Sequence, residues 1–373
     1  MRKLALLLGS LVVVASASAK EVVPAPVVVE EAPVQIVEKE VIVYRDKEEG
    51  FRPSGNVGLE VKYFDRTEGQ KDDEWSDPDV GDKYSRTQLS GAVQMTENQK
   101  FEFRVRDYNS VDSGYVSDMG TETRLRYSYN HGNLGDSKVN FTSWVEYKKT
   151  TDATQHLDYQ ARFDFAEYLF NNDFVKTSTA IVAPRYKYAW SSNTDDYTNT
   201  LGLYVNIINQ YPWGFGSEIE IDGVNYNFYG KDKVTYKLDG TKNDSWDKEF
   251  NVKVKAIITQ DTNLYSVDKL SIDWHSEGGF DTYKWNEKDS VAYGLEKVHK
   301  IDGEEITGHQ KFEDTTYQAY FSSDVTASYQ ATEFVNVFAL AGAEYRNWAV
   351  SNASSATNWR WQPYVAAGFN VAF

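Results

Sequence analysis

Five arginines recur at alternate positions, Arg104 and Arg106, Arg124 and Arg126, then Arg162, with Glu102, Glu122, Asp158 and Asp164 at the same spacing among them. A guanidinium stays charged at any physiological pH and reaches far from the backbone. If this set shares one wetted face, it forms a cationic wall that sorts passing ions. Three carboxylates, Glu218, Glu220 and Asp222, repeat the same spacing later in the chain. Opposed across a channel, the two groups would set up a transverse field that orders water and penalises apolar solutes. The plainer reading is that arginine and carboxylate pair across neighbouring strands and hold a wall together, and the two readings are compatible.

Other chemistries find less support. The five histidines, His131, His156, His275, His299 and His309, lie far apart, and none forms a metal-ligand pair at helical spacing. There is no cysteine, so thiol catalysis, disulfides and thiolate metal sites are excluded. There is no G-x-S-x-G elbow, no P-loop and no dinucleotide fingerprint, so no enzyme, cofactor or metal is expected. A serine, a histidine and an aspartate from separate loops at a barrel rim can still converge without leaving a local motif. The stretch Asp65 to Asp82 is densely acidic and suits hard cations such as calcium, but it lacks the EF-hand order of ligands, which favours a solvated, self-repelling loop.

A spacing of two belongs to β-strands. From Gly55 onward, stretches of about ten residues place apolar side chains at every second position. Val57, Leu59, Val61 and Tyr63 alternate with Asn56, Glu60 and Lys62, and Leu157, Tyr159 and Phe163 with Asp158, Gln160 and Arg162. Trp359, Trp361, Val365, Ala367, Phe369, Val371 and Phe373 share one parity of the last segment. Each strand then shows one face to an apolar medium and the other to water. Rings gather near segment ends, at Tyr63 and Phe64, Tyr127 and Tyr129, Tyr188 and Trp190, and Trp359 and Trp361, as an interfacial girdle requires.

Short connections (Thr96 to Gln99, Asn130 to Asp136, Asn209 to Trp213, Thr259 to Asn263, Ala331 to Glu333) interleave with long ones (Asp65 to Asp82, Asn109 to Asp118, Lys148 to Gln155, Gly230 to Asp247, Val298 to Asp314). The expected fold is an all-β, transmembrane antiparallel β-barrel of 14 strands with short periplasmic turns and long extracellular loops. A further hairpin over Phe280 to Trp285 and Val291 to Lys297 would make sixteen. Strands of ten to fifteen residues are longer than the roughly 5 to 6 usual in a soluble sandwich, the competing fold. Closure follows from backbone chemistry, since an unpaired amide or carbonyl in hydrocarbon costs several kcal/mol. Pro184 and Pro363 each delete a ladder donor and are expected at bulges or near the outer rim, with a parity shift at Pro184.

The 373 residues carry 10 Trp, 26 Tyr and 19 Phe, so rings are abundant, yet the mean hydropathy of -0.58 argues against a polytopic helical membrane protein. A net charge of -17 argues against a nucleic-acid partner. Residues 1–19 read as a signal peptide: Arg2 and Lys3 precede an apolar stretch to Ala15, and Ala17 and Ala19 stand at signal-peptidase spacing. A membrane anchor is the alternative, though the stretch is shorter than a bilayer span. Residues 20–53 are rich in Pro, Val and Glu and read as a semi-rigid periplasmic linker serving as spacer, partner-binding tail or plug, and residues 54–373 as the barrel.

The opening Lys3 to Leu6, the linker Lys20-Glu21-Val22-Val23-Pro24-Ala25-Pro26, the stretch Val41 to Asp46 and the aromatic-ended barrel resemble the major outer-membrane porins of fusobacteria, the FomA type. The resemblance implies a water-filled, weakly selective, voltage-responsive channel for ions and small hydrophilic solutes in the bacterial outer membrane. Implied partners are outer-membrane lipid and lipopolysaccharide, the barrel-assembly machinery and two further copies in a trimer. An adhesin or structural barrel, whose surface loops bind host or bacterial ligands, is the rival function. Gly368, Phe369, Val371 and Phe373 resemble the terminal assembly signal of such barrels, with a departure at Ala366, where that signal carries a polar residue.

Overall fold

Alternating β-branched and aromatic residues pair side by side into one continuous antiparallel wall. The computed structural model describes residues 51–68, 83–111, 120–151, 154–192, 196–236, 242–287, 296–301, 304–310, 316–348 and 358–373. The signal and linker expectations, including Ala17 and Ala19, and most of the acidic loop lie outside them. The first strands are β1 (Ser54–Phe64), β2 (Tyr84–Gln94), β3 (Gln99–Ser110), β4 (Gly120–Asn133), β5 (Asn140–Lys149) and β6 (Thr154–Asp164). Then come β7 (Lys176–Ser191), β8 (Tyr197–Gln210), β9 (Phe215–Tyr236), β10 (Lys242–Val267) and β11 (Leu270–Asn286). The chain ends with β12 (Glu296–Ile301), β13 (Glu304–Gln310), β14 (Thr316–Gln330), β15 (Val335–Trp348) and β16 (Asn358–Ala372).

Strands β1 to β9 pair in chain order, β9 pairs β10, and β10, β11, β14, β15 and β16 return to β1, so fourteen strands close into a barrel. The closing seam runs from Asn56 opposite Ala372 to Phe64 opposite Tyr364, and Gly55 exchanges both backbone hydrogen bonds with Phe373 (2.8 and 3.0 Å). Strands β12 and β13 pair with each other and, among the described residues, join the wall through a short parallel pairing to the end of β9. They add no strand to the barrel, and Phe280 to Trp285 belongs to β11, so the sixteen-stranded alternative falls. Among the described residues no helix is long and apolar enough to cross a membrane.

One expected turn is absent. Thr259 to Asn263 lies within β10, which runs on to a tight turn at Asp268 and Lys269, where Asp268 takes φ 48°. The polar run finds its partners across the ladder instead: Asp261 Oδ1 meets His275 Nδ1 at 2.7 Å, and Asn263 Nδ2 donates to Asp273 Oδ1 at 2.7 Å. Polar composition alone does not separate a turn from a strand whose polar groups are satisfied sideways.

Three short turns share one device, a backbone bond from the first turn residue to the carbonyl four residues on: Met95 to Gln99, Tyr211 to Phe215 and Ala331 to Val335, each 2.9 Å. In two of them the preceding Gln94 and Gln330 fold back onto the carbonyls of Thr96 and Thr332. The length rule is looser than expected. The connection from β5 to β6 spans only residues 150–153, and that from β6 to β7 spans 165–175, including a 3-10 turn at Ala166–Tyr168.

The two prolines behave differently. Pro184 sits mid-strand opposite Leu203, without a bulge. The β6–β7 ladder pairs Gln160 with Arg185 and resumes at Phe163 with Val182 in one register, so no parity shift occurs there. The apparent switch arises because Ile181 and Ala183 are apolar residues on the inner face, Ile181 opposite Asp164. Pro363 lies beyond the last β1–β16 pair, near the loop-side rim, where its carbonyl accepts from Asp65 N at 2.9 Å.

The outward parity is an exposed apolar surface: Val61, Leu157, Tyr159, Leu201, Leu203, Ile219, Val224, Ile258, Phe321, Val325 and Val365 all face out. Rings meet near the loop-side ends, Tyr188 with Trp190 (centroids 5.4 Å), Tyr226 with Phe228 (5.0 Å) and Tyr345 with Trp361 (4.9 Å). Phe64 is an exception to the expected girdle. It shares the parity of Lys62 and stacks inside on Tyr84 at 4.3 Å.

Candidate functional site: the charged inner wall

The inner parity carries the charges. Register places Arg104 opposite Arg124, and Arg124 opposite Lys148, on β3, β4 and β5. One step along, Arg106 lies opposite Glu122, and on the other side Arg126 lies opposite Glu146. Arg104 Nη2 donates to Glu122 Oε1 (2.6 Å), Lys148 Nζ lies 3.1 Å from the other oxygen of that carboxylate, and Arg106 Nη1 is 4.0 Å away while its Nε donates to Gln88 (2.6 Å). Arg126 Nε donates to Glu146 (2.6 Å), whose second oxygen meets His156 (3.2 Å). Cross-strand pairing therefore holds Arg104, Arg106 and Arg126. Arg124 has no ion pair among the described residues, and its Nε is buried without a hydrogen-bond partner.

Arg162, on β6, stands apart from this group. Its guanidinium lies 4.0 Å from the Trp144 ring and 5.3 Å from that of Tyr204, and its Nε donates to Gln160 (2.9 Å). The stacking is a cation–π arrangement on an inward-facing tryptophan. Glu218 accepts from Asn206 (2.7 Å), and Glu220 lies opposite both Asn206 and Lys255.

Asp222 reaches a residue that the alternation argument did not single out. Arg185 on β7 binds Asp158 on β6 through Nε (3.2 and 3.0 Å) and Nη2 (2.6 Å), and Asp222 on β9 through Nη1 (2.5 Å). One guanidinium thus ties β6, β7 and β9 across the intervening β8. Two glycines permit the span. Gly202 leaves β8 bare opposite Arg185, since a Cβ there would collide with Asn225 Oδ1. Gly223, with φ 115°, is the extra residue of a bulge that sets both Asp222 and Asn225 on the inner face. Gly202→Val is therefore expected to cut the Arg185 to Asp222 contact. It should lower the temperature at which the folded band converts to the unfolded band on detergent gels, by less than loss of Arg185 itself. An unchanged conversion temperature would show that the bridge does not need the bare strand.

The opposite stretch of wall, from β10 through β16 to β1, forms a cavity of about 390 Å³ lined by residues that include Lys62, Lys255, Glu277, Asp324, Glu344 and Arg346. Tyr364 donates to Asp324 (3.0 Å), Arg346 binds Glu344 (2.5 Å), Tyr320 donates to Glu277, and Lys62 Nζ lies 3.4 Å from the Tyr364 ring. That one concave space takes side chains from β1 and β10 marks this parity as the inside of the barrel.

The described histidines do not converge. His131 bonds Ser143, His156 bonds Glu146 and His275 bonds Asp261, and no group of three or more metal-ligating residues occurs among the described residues. Of the acidic loop, Asp65 caps the backbone N–H of Arg66 (2.8 Å) and Glu68 N donates to the Trp361 carbonyl (2.7 Å). At the C-terminus, Phe369 lies opposite Leu59 and Val371 opposite Val57, and Gly368 leaves room for the inward ring of Phe338.

No family model and no curated protein matches the chain. Solved structures do show a likeness. A bacterial polysaccharide outer membrane secretin is 9% identical, with 86% of this chain and 98% of that one covered and a TM-score of 0.37. The NanC porin is 10% identical (84% and 98% covered, TM-score 0.34), and an anion-selective porin from Comamonas acidovorans is 9% identical (86% and 99%, TM-score 0.34). Likenesses of this degree assign no solute and no site residue, and the fourteen-stranded closure rests on the strand pairing itself. The resemblance to fusobacterial porins finds no counterpart among them.

Proposed function

We propose that the chain is an outer-membrane porin, a water-filled channel for passive diffusion of ions and small hydrophilic solutes. The observation that carries this is the division of a closed wall into an exposed apolar outside and an inside that holds the arginines and carboxylates. Hydrocarbon accepts the first and excludes the second, and a closed ladder leaves no backbone edge in lipid. Barrels much wider than eight strands are not filled by their own side chains and keep an aqueous lumen. Arg104, Arg106, Arg124, Arg126 and Arg162 then line one side of the pore and Glu218, Glu220 and Asp222 another, giving weak ion selectivity.

The sequence words of residues 1–60 support placement with the fusobacterial porins and, with it, a trimer among lipopolysaccharide and a barrel whose last residues, ending in Phe373, are read by the assembly machinery. Purified, refolded protein should give stepwise conductance in planar bilayers. Silence there would favour the adhesin alternative, in which surface loops bind host or bacterial ligands. A narrower expectation follows from the arginine side: Arg124→Glu with Arg126→Glu should move the reversal potential in a salt gradient toward cations. An unmoved reversal potential would remove these two residues from the ion path.

A further inference from the structure

We propose that Arg104, Arg124 and Lys148 form a saturable site for a divalent tetrahedral oxyanion, inorganic phosphate being the simplest case. The inference rests on the channel reading above and names the solute class that its inner wall would retain.

Cations set directly opposite one another on neighbouring strands repel, and wall stability gains nothing from the arrangement. Here three stand in one row, Arg104, Arg124 and Lys148, with Arg106 and Arg126 diagonal to them. Against these five stand Glu122 and Glu146, with Glu102 opposite Arg126 at the edge of the cluster and already bound to Lys100 (3.0 Å). Glu122 is already shared by Arg104, Arg106 and Lys148, and Glu146 by Arg126 and His156. Among the described residues Arg124 has no acceptor, and the Nε atoms of both Arg104 and Arg124 are buried without partners.

Depth matters as much as number. The Glu122 and Glu146 side chains are 12% and 9% exposed, whereas those of Arg104, Arg106, Lys148 and Arg126 are 15%, 23%, 27% and 31% exposed. Lys148, Arg106 and Arg126 are thus more open to the interior than the carboxylates they bind, whereas Arg104 is nearly as covered as Glu122. A solute approaching this wall meets those three cations before their carboxylates. Two planar guanidinium forks beside one ammonium match an anion with several oxygens, which can accept from all three at once. Chloride offers one centre and half the charge.

The test is conductance of the full-length mature protein in bilayers at low ionic strength, where screening is weak. Adding phosphate to potassium chloride, with ionic strength matched, should reduce the chloride current along a saturating curve. Arg124→Gln with Lys148→Gln should raise the half-blocking phosphate concentration about tenfold or more, the size of at least one lost charge-assisted hydrogen bond. Normal chloride current that phosphate leaves unchanged, or an unshifted half-block in the double variant, overturns the site and leaves the channel reading intact. If the double variant does not insert, Arg124→Lys, which keeps the charge and loses the fork, should still weaken the block, and an unaltered block counts against the site. A wild-type protein silent in chloride sinks the channel reading. Calorimetry of the refolded barrel with phosphate then decides the site separately: saturable heat supports it and no heat overturns it.

Discussion

Arg185→Ala should destabilise the barrel by about 3 to 5 kcal/mol, the range for removing one member of a buried ion pair. The Arg185 side chain is 5% exposed and that of Asp158 is 2% exposed, so Asp158 would be stranded as a carboxylate shut away from water. Its remaining polar contact, Gln160 Nε2 at 3.4 Å, is too long to replace three charged hydrogen bonds. Asp222, by contrast, is 43% exposed and recovers water when Arg185 leaves, so most of the loss comes from Asp158. Lys187 stands opposite Asp158 in the ladder and can turn toward it, which sets the expectation at the lower end of the range.

The measurement is urea unfolding from lipid vesicles followed by tryptophan fluorescence, with conversion of the folded gel band on heating as a second probe. Asp158→Asn in the Arg185→Ala background should restore part of the loss, because a neutral amide is cheaper to bury than an unpaired carboxylate. Equal stability of Arg185→Ala and the parent protein, or no recovery in the double variant, would show that the bridge between β6, β7 and β9 carries no net stabilisation.

That Arg185 escaped the alternation argument while Arg104, Arg106, Arg124, Arg126 and Arg162 did not has a local cause. Each of those five lies in a segment with a run of apolar outward positions, Phe101, Phe103 and Val105, Leu125, Tyr127 and Tyr129, or Leu157, Tyr159 and Phe163, so parity is legible from the residues alone. Around Pro184 the pattern is spoiled by Ile181 and Ala183, which face inward although apolar, and only the unbroken β6–β7 register shows that Arg185 belongs to the inner face. The bulge at Gly223 hides in the same way, since one inserted residue reverses every later assignment on β9.

Turn positions follow a similar division. Thr96 to Gln99 and Ala331 to Glu333 were legible because a polar cluster interrupts apolar alternation. Thr259 to Asn263 looked the same, and only the cross-strand partners His275 and Asp273 distinguish it. Strand number and closure were legible because they are collective, set by fourteen repeats of one pattern. The pairing of individual charges was not, because an arginine chooses among carboxylates on two neighbouring strands, and beyond them when a glycine clears the way.

A second large effect is expected on the outside. Leu203 lies within the outward run Leu201, Leu203, Val205 and Ile207 of β8 and is flanked in the ladder by Pro184 and Val224, both of the same outward parity. Leu203→Arg should cost about 2 to 4 kcal/mol, as charged substitutions on the lipid face of a barrel do near the bilayer midplane. Nothing on the neighbouring strands offers it a counter-charge at that level, and Pro184 provides no N–H or side-chain acceptor. Leu134→Arg, on the exposed turn between β4 and β5, is the matching control and should cost within about 1 kcal/mol, since a residue at the rim keeps its charge in water. Both are read by the same urea titration in vesicles. The comparison separates a membrane barrel from a barrel dissolved in water. In water an exposed Leu203 would lose little on conversion to arginine, so equal costs at the two positions would remove lipid from the outer face and, with it, the need for this inner wall to conduct anything.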